Sequence, residues 1–132
     1  MQKVIKTDRA PGAIGPYSQA IEVNGMLYTS GVIPINPATG EIADTIEQQA
    51  EQAFTNICNL VEDAGSAVDK IIKTTVFIKN MDDFGKINEI YMKHFKEPFP
   101  ARSCVEVARL PKDVLLEIEC IAVMYSYVIV AL

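Results

Sequence analysis

Pro98-Phe99-Pro100-Ala101-Arg102-Ser103-Cys104-Val105-Glu106-Val107-Ala108-Arg109-Leu110-Pro111-Lys112-Asp113, continuing from Val114 to Val123, is the stretch whose reading decides the fold. Two alternating segments flank Pro-Lys-Asp, a pattern that reads as a β-hairpin. Successive side chains of a strand point to opposite sides, so Ser103, Val105 and Val107 share one face of the first arm and Arg102, Cys104 and Glu106 the other. In the second arm Leu116, Ile118, Cys120 and Ala122 form an apolar face, with Glu117 and Glu119 opposite among Leu115, Ile121 and Val123. Matching the apolar faces, as register demands when one side is buried, predicts Arg102 and Cys104 on the same side as Glu117 and Glu119. A guanidinium, a thiol and two carboxylates on one sheet face are either a functional cluster or the charged cross-strand pairs that decorate the wet side of an antiparallel sheet.

Outward from this stretch, the chain of 132 residues is long enough for one domain with a sizeable core. Its three cysteines, without paired or metal-type spacing, fit free thiols in a reducing compartment, with Cys58 and Cys120 read as core residues. A net charge of −5 without a basic run speaks against nucleic acid as a partner. Met1 to Lys6 do not resemble a signal peptide, and no apolar run approaches the roughly 20 residues that cross a bilayer. The expectation is a cytoplasmic protein without a membrane partner.

Lys3 to Ile5 reads as a short edge strand, and Ala10 to Pro16 as a loop broken by two glycines and two prolines. Ala20 to Val23 and Met26 to Ile33 read as strands joined at Asn24-Gly25, the dipeptide favoured where a type I′ turn needs positive φ twice. Gly31, inside the second of these, marks either a close approach by a backbone or ligand, or a bulge. From Thr45 to Ala64 the period becomes helical, with Thr45 and Gln48 in capping-box positions and Gly65 as terminator. Ile71 to Ile78 is β-branched and strand-like. A second helix over about 83–95 presents Phe84, Ile87, Ile90, Tyr91 and Phe95 on one side. His94, the single histidine, lies near its C-terminus, where a structural role is expected. This order of elements lets two helices cover one sheet face and leaves the other bare, an awkward mix of charged and apolar groups that self-association would relieve.

Three further blocks stand beside the first: Ala10-Pro11-Gly12-Ala13-Ile14-Gly15-Pro16-Tyr17-Ser18-Gln19-Ala20, then Tyr28-Thr29-Ser30-Gly31-Val32-Ile33-Pro34, then Lys73 to Ile78 through Asn88-Glu89-Ile90-Tyr91. Together with Pro98 to Asp113 and Leu116 to Glu119 they closely resemble the RidA/YjgF family of reactive-intermediate (imine) deaminases, over about residues 3 to 124. The resemblance implies a chorismate-mutase-like α+β fold: a six-stranded, mainly antiparallel sheet with two helices on one face, assembled as a homotrimer with sites in the clefts between subunits. It implies hydrolysis of 2-imino acids to 2-oxo acids and ammonia, with Tyr17, Ser30, Gly31, Asn88 and Cys104 lining the pocket.

The residues permit that chemistry. Arg102 offers the planar bidentate donor geometry that a carboxylate matches, and Glu117 is placed to position or deprotonate a water. Burial would raise the pKa of Glu117 and a nearby Arg102 would lower it. Cys104 lacks a base, so covalent catalysis is not expected. Neither a metal nor an organic cofactor is indicated, there being no ligand cluster and no glycine-rich phosphate loop. A competing reading is a non-catalytic trimer that binds small carboxylates, or one with the chaperone-like or translation-inhibiting roles linked to some members of the wider family. A domain over residues 1–124 leaves Tyr125-Ser126-Tyr127-Val128-Ile129-Val130-Ala131-Leu132 as an apolar tail that relatives of this kind usually lack. Three readings fit it: a longer last strand, a segment buried between subunits, or a read-through appended to the domain.

Overall fold

The computed structural model describes residues 1–125, so the reading of the tail falls on 126–132, outside the described residues. Six strands and two α-helices are present: β1 (Lys3–Ile5), β2 (Ala20–Val23), β3 (Met26–Thr29), α1 (Ile46–Asp63), β4 (Ile71–Ile78), α2 (Phe84–His94), β5 (Ala101–Glu106) and β6 (Leu116–Val123). They form one mixed sheet in the order β1-β2-β3-β6-β4-β5, antiparallel except between β4 and β5. A parallel neighbour cannot be reached by a tight turn, and α2 is the crossover that makes it possible. The expected α+β architecture is thus present, mainly antiparallel with its helices packed on one side.

Local signals act where the sequence places them. Asn24 and Gly25 have φ of 53° and 75°, the doubly positive turn that closes β2 onto β3. Thr45 caps α1, its Oγ1 accepting from the Gln48 amide at 3.2 Å, and Gly65 leaves the helix at a φ of +96°. Ile46, Ala50, Ala53, Phe54, Ile57, Leu60 and Val61 of α1 are buried against Leu27, Val76, Ile78, Leu116 and Ile118 of the sheet, with Ile87 and Tyr91 of α2. His94 bonds Glu51 at 2.8 Å and meets the Phe54 ring edge-on, the structural role expected of it.

The expected hairpin is not formed. β5 and β6 do not touch: β4 lies between them, parallel to one and antiparallel to the other. Pro111 to Asp113 does turn, with Lys112 and Asp113 at φ of 56° and 54°, but within a long connection that passes the end of β4. The Val107 amide bonds the Ile78 carbonyl and the Lys79 amide bonds the Leu115 carbonyl, so the connection brackets that end on both sides. Alternation in two strands specifies which side chains share a face within each strand, not which strand is the neighbour.

The inserted strand also reverses one face assignment. Thr74 pairs with both Arg102 and Cys120, and Val76 with both Cys104 and Ile118. Arg102 and Cys104 therefore lie on the helix-covered side with Ile118 and Cys120, while Glu117 and Glu119 lie on the bare side with Thr75 and Phe77. Ser103 and Val105, expected in the core, face outward on the bare side, Val105 being 44% exposed. Shape explains the choice: an arginine can lay its stem on a packed face and keep its head at the margin of an edge strand.

Buried amides of α1 hold the loops around the sheet. Asn56, fully buried, donates to the carbonyls of Ile33 and Ile35 at 3.1 and 2.8 Å and accepts from Gln52. Gln49 donates to the Ala43 carbonyl and accepts from the Leu115 amide, both at 2.8 Å. Replacing Asn56 by alanine leaves two carbonyls without their donor, that of Ile33 buried and that of Ile35 partly so. We expect Asn56→Ala to cost about 2–4 kcal/mol in chemical denaturation, whereas a loss below 0.5 kcal/mol, roughly the scale of a neutral surface change, would contradict this tether.

Candidate functional site

The first group of candidate residues surrounds the place where β3 stops. The expected strand from Met26 to Ile33 ends at Thr29, and pairing with β6 resumes only at Val32, which exchanges hydrogen bonds with Ile118 at 2.7 and 3.0 Å. Gly31 lies in that gap. A Cβ there would collide with the Glu117 carboxylate and sit 2.7 Å from its Cδ, so the close approach at this glycine is that of a flexible side chain from the neighbouring strand, which a larger residue would displace. Ser30 is fixed by its amide bonding the Gln19 carbonyl at 2.9 Å and its Oγ donating to the Ser18 carbonyl at 2.6 Å.

The Ala10 to Pro16 loop is folded over this gap by Gln19. Its buried side-chain amide donates to the carbonyls of Thr7 and Pro11, each at 2.9 Å, and accepts from the Thr7 amide at 2.8 Å. Tyr17 closes the loop on itself, its hydroxyl accepting from the Ile14 amide at 3.2 Å. Tyr17, Ser30, Gly31 and Glu117, with Ile14 and Pro111, line a cavity of about 360 Å³.

Glu117 is half-buried, and among the described residues no group donates a hydrogen bond to its carboxylate, which leaves it open to a water molecule. Burial pushes its pKa above the usual glutamate range, and the Glu119 carboxylate two residues along adds to the rise. The opposing effect expected from Arg102 does not operate within the chain, because the two side chains stand on opposite faces.

The second group lies at the far edge of the sheet. Arg102 of β5 reaches toward α2, where its guanidinium donates to Asn88 Oδ1 at 2.8 Å and lies 4.8 Å from the Tyr91 ring centre and 5.4 Å from that of Phe84. Residues 84, 88 and 91 are spaced by four and three positions and so line one stripe of the helix. Among the described residues no carboxylate pairs with Arg102. Asn88, Tyr91, Met92, Phe99, Pro100 and Arg102 border a cavity of about 440 Å³.

Cys104 joins neither cavity. It is half-buried against the core, and burial raises its thiol pKa while Arg102 opposes the rise. A thiol so placed, without a neighbouring base, is a poor nucleophile. Burial pushes the thiol pKa of Cys58 and of Cys120 up to about 12; Cys120 lies in the core as expected, whereas Cys58 is only partly buried and packs against it.

One chain therefore brings together Tyr17, Ser30, Gly31 and Glu117, and separately Arg102 and Asn88. It does not bring the guanidinium to the glutamate. Sequence reasoning placed Phe84 and Tyr91 on the packed side of α2 without giving them a part beside Arg102; their spacing to Asn88 was the available signal. Pro111 was read only as a turn residue, yet it borders the first cavity.

A family model described as endoribonuclease L-PSP matches residues 7–124. The 2-iminobutanoate/2-iminopropanoate deaminase of Escherichia coli is 53% identical over 126 residues, which are 93% of this chain and 98% of that one. A RutC family protein of Pasteurella multocida is 58% identical over 127 residues, again 93% and 98% of the two chains. Among solved structures, that of E. coli TdcF with bound serine superposes with a TM-score of 0.88 at 53% identity, covering 92% of this chain and 98% of the other. The E. coli YjgF gene product superposes with a TM-score of 0.89 at 52% identity, covering 93% and 99%. By its motifs, its fold and these relatives, this chain belongs to the endoribonuclease L-PSP family, the RidA/YjgF family.

Proposed function

We propose that this protein is a hydrolytic deaminase of 2-imino acids, acting in the cytoplasm as a homotrimer with its sites between subunits. The observation that carries the reading is Arg102: a half-buried guanidinium, fixed by Asn88 and two rings, with no carboxylate partner among the described residues. Such a group is prepared to receive an anion from outside the chain, and a planar carboxylate fits it best. The E. coli relative named for 2-iminobutanoate and 2-iminopropanoate acts on such carboxylates, and TdcF holds serine, which also carries one.

The bare sheet face supports the assembly. Val4, Tyr28 and Val105 are 57%, 45% and 44% exposed there, apolar groups that contact with other copies would cover. Assembly also supplies what the single chain lacks, a route by which the Arg102 edge of one copy meets the Tyr17, Ser30, Gly31 and Glu117 cavity of another.

In this reading Arg102 holds the substrate carboxylate, Asn88 orients Arg102, and Tyr17, Ser30, Gly31 and the backbone near Cys104 line the pocket. Glu117 takes a proton from water as the oxygen attacks the imine carbon. Glu117 returns that proton to the nitrogen, the remaining hydroxyl proton of the carbinolamine follows it as the C–N bond breaks, and ammonia leaves the 2-oxo acid behind, so the net reaction is imine plus water to ketone plus ammonia. Imines hydrolyse unaided, and an acceleration of tens to thousands, about 2–4 kcal/mol, is within reach of positioning and one general base. A nuclease, the activity in the family's description, would need to attract a polyanion with a chain of net charge −5. Among the described residues there is no group of three His, Cys, Asp or Glu side chains placed to hold a metal ion for it.

Arg102→Ala should reduce 2-oxo acid formation from enzymatically generated imino acids to the uncatalysed rate while the sedimentation coefficient stays that of the wild-type trimer. Retained acceleration would remove the carboxylate clamp; a wild type that binds 2-oxo acids without acceleration would favour a binding module.

Glu117→Gln should slow turnover with 2-oxo acid binding retained. Because its pKa is raised, Glu117 keeps its proton to higher pH than an ordinary glutamate, so activity should fall on acidification while still above the usual carboxylate range. Glu119→Gln removes one of the two causes, and the acid limb of the kcat profile should move to lower pH. An unmoved limb would show that another group titrates there.

A further inference from the structure

We propose that Tyr91, with Phe84, is a positioning residue that sets the direction of the Arg102 guanidinium and thereby the affinity for the substrate carboxylate; this rests on the deaminase reading only for the identity of the substrate. Tyr91 is anchored from three sides. Its hydroxyl shares a buried hydrogen bond of 2.7 Å with Thr74 Oγ1, and its ring meets Phe54 edge-on at 5.5 Å and Phe95 at 4.3 Å. Burial holds the phenol well on its neutral side, with the Thr74 bond and Arg102 opposing the shift. The ring is therefore a fixed, uncharged plate. Arg102 lies 4.8 Å from its centre, close enough for the ring's π density to hold the cation.

Thr74 does two things at once. It is the β4 partner of Arg102 in register, and it bonds the ring beside that side chain. The backbone origin of the arginine and the surface on which its head rests are thus tied to one residue. Asn88 takes a single guanidinium nitrogen, Nη1, and the rings take no hydrogen bond at all. This division restrains the cation without consuming the remaining N–H groups that a carboxylate would need. A carboxylate partner in place of the rings would hold the arginine as firmly and would neutralise it.

The test is binding of 2-oxobutanoate, measured by calorimetry on the assembled protein, together with steady-state kinetics. Tyr91→Leu and Phe84→Leu should each weaken 2-oxobutanoate binding and raise KM by about tenfold, the scale of a partly desolvated cation–π contact, with kcat within about twofold of wild type. Tyr91→Phe keeps the ring and should restore affinity to within about twofold. Weak binding of 2-oxobutanamide, which lacks the carboxylate, should be unaffected in all variants.

Unchanged 2-oxobutanoate affinity in the leucine variants, or equal losses for 2-oxobutanamide, would overturn the inference, as would a fall in kcat at constant KM. Phe84 lies at the surface, 37% exposed, so Phe84→Leu decides the matter where Tyr91→Leu fails to fold. A wild type that binds 2-oxobutanoate but does not hydrolyse imines would defeat the deaminase reading alone, since the binding comparison still stands. A wild type that does not bind 2-oxobutanoate defeats both.

Discussion

The position of β4 between β5 and β6 is the constraint on which the rest of the structure depends. Its own pattern suits the place: Thr74, Val76 and Ile78 are buried, and Lys73, Thr75 and Phe77 are half-covered on the other side. Being hydrogen-bonded on both edges, it transmits one parity across three strands. That parity sends Arg102 and Cys104 toward the helices and Glu117 toward the bare face. A direct β5–β6 pairing matched by the apolar faces read from sequence would have put Arg102, Cys104, Glu117 and Glu119 on one surface of one chain; the pairing through β4 sets the guanidinium and the Glu117 carboxylate on opposite faces instead.

Around that frame buried amides hold the loops from within, beside the more exposed Arg9–Asp63 ion pair at 2.7 Å that ties the N-terminal segment to α1. Gln19, Gln49 and Asn56 are buried, and each satisfies backbone groups of a segment that has left the sheet. Backbone polar groups in a loop near the core must find partners, and a side-chain amide supplies donor and acceptor without a buried charge. The break in β3 is tolerable for this reason: Asn56 receives the carbonyls of Ile33 and Ile35, which sit among the strand-like residues just beyond it. The break in turn makes room for Glu117 beside a glycine.

Much of this was legible in the sequence because it is local. The doubly positive Asn24-Gly25 turn, the Thr45 cap, the apolar stripe of α1 and the eight-residue β4 each follow from neighbouring residues alone. The family and its architecture were legible from the motifs, and the comparisons agree. The hairpin was misread because alternation is silent about partners, and the face of Arg102 was misread with it. Hydrophobicity marked Val105 as interior and Arg102 as exterior, whereas the long arginine stem and its aromatic neighbours reverse the assignment. The role of Asn56 was invisible, since a polar residue inside a helical stripe gives no sign of the carbonyls it will meet.

The separation of Arg102 from Glu117 within one chain has a consequence for the chemistry as a population property. On the proposed assembly, a lone chain carries two incomplete halves, and the fraction of working sites follows the association equilibrium rather than the amount of folded protein. Chains defective in one half and chains defective in the other are then not equivalent losses. In a mixed oligomer the intact halves meet at some of the clefts, so two inactive alleles can complement one another, a behaviour that a site contained within a single chain does not permit.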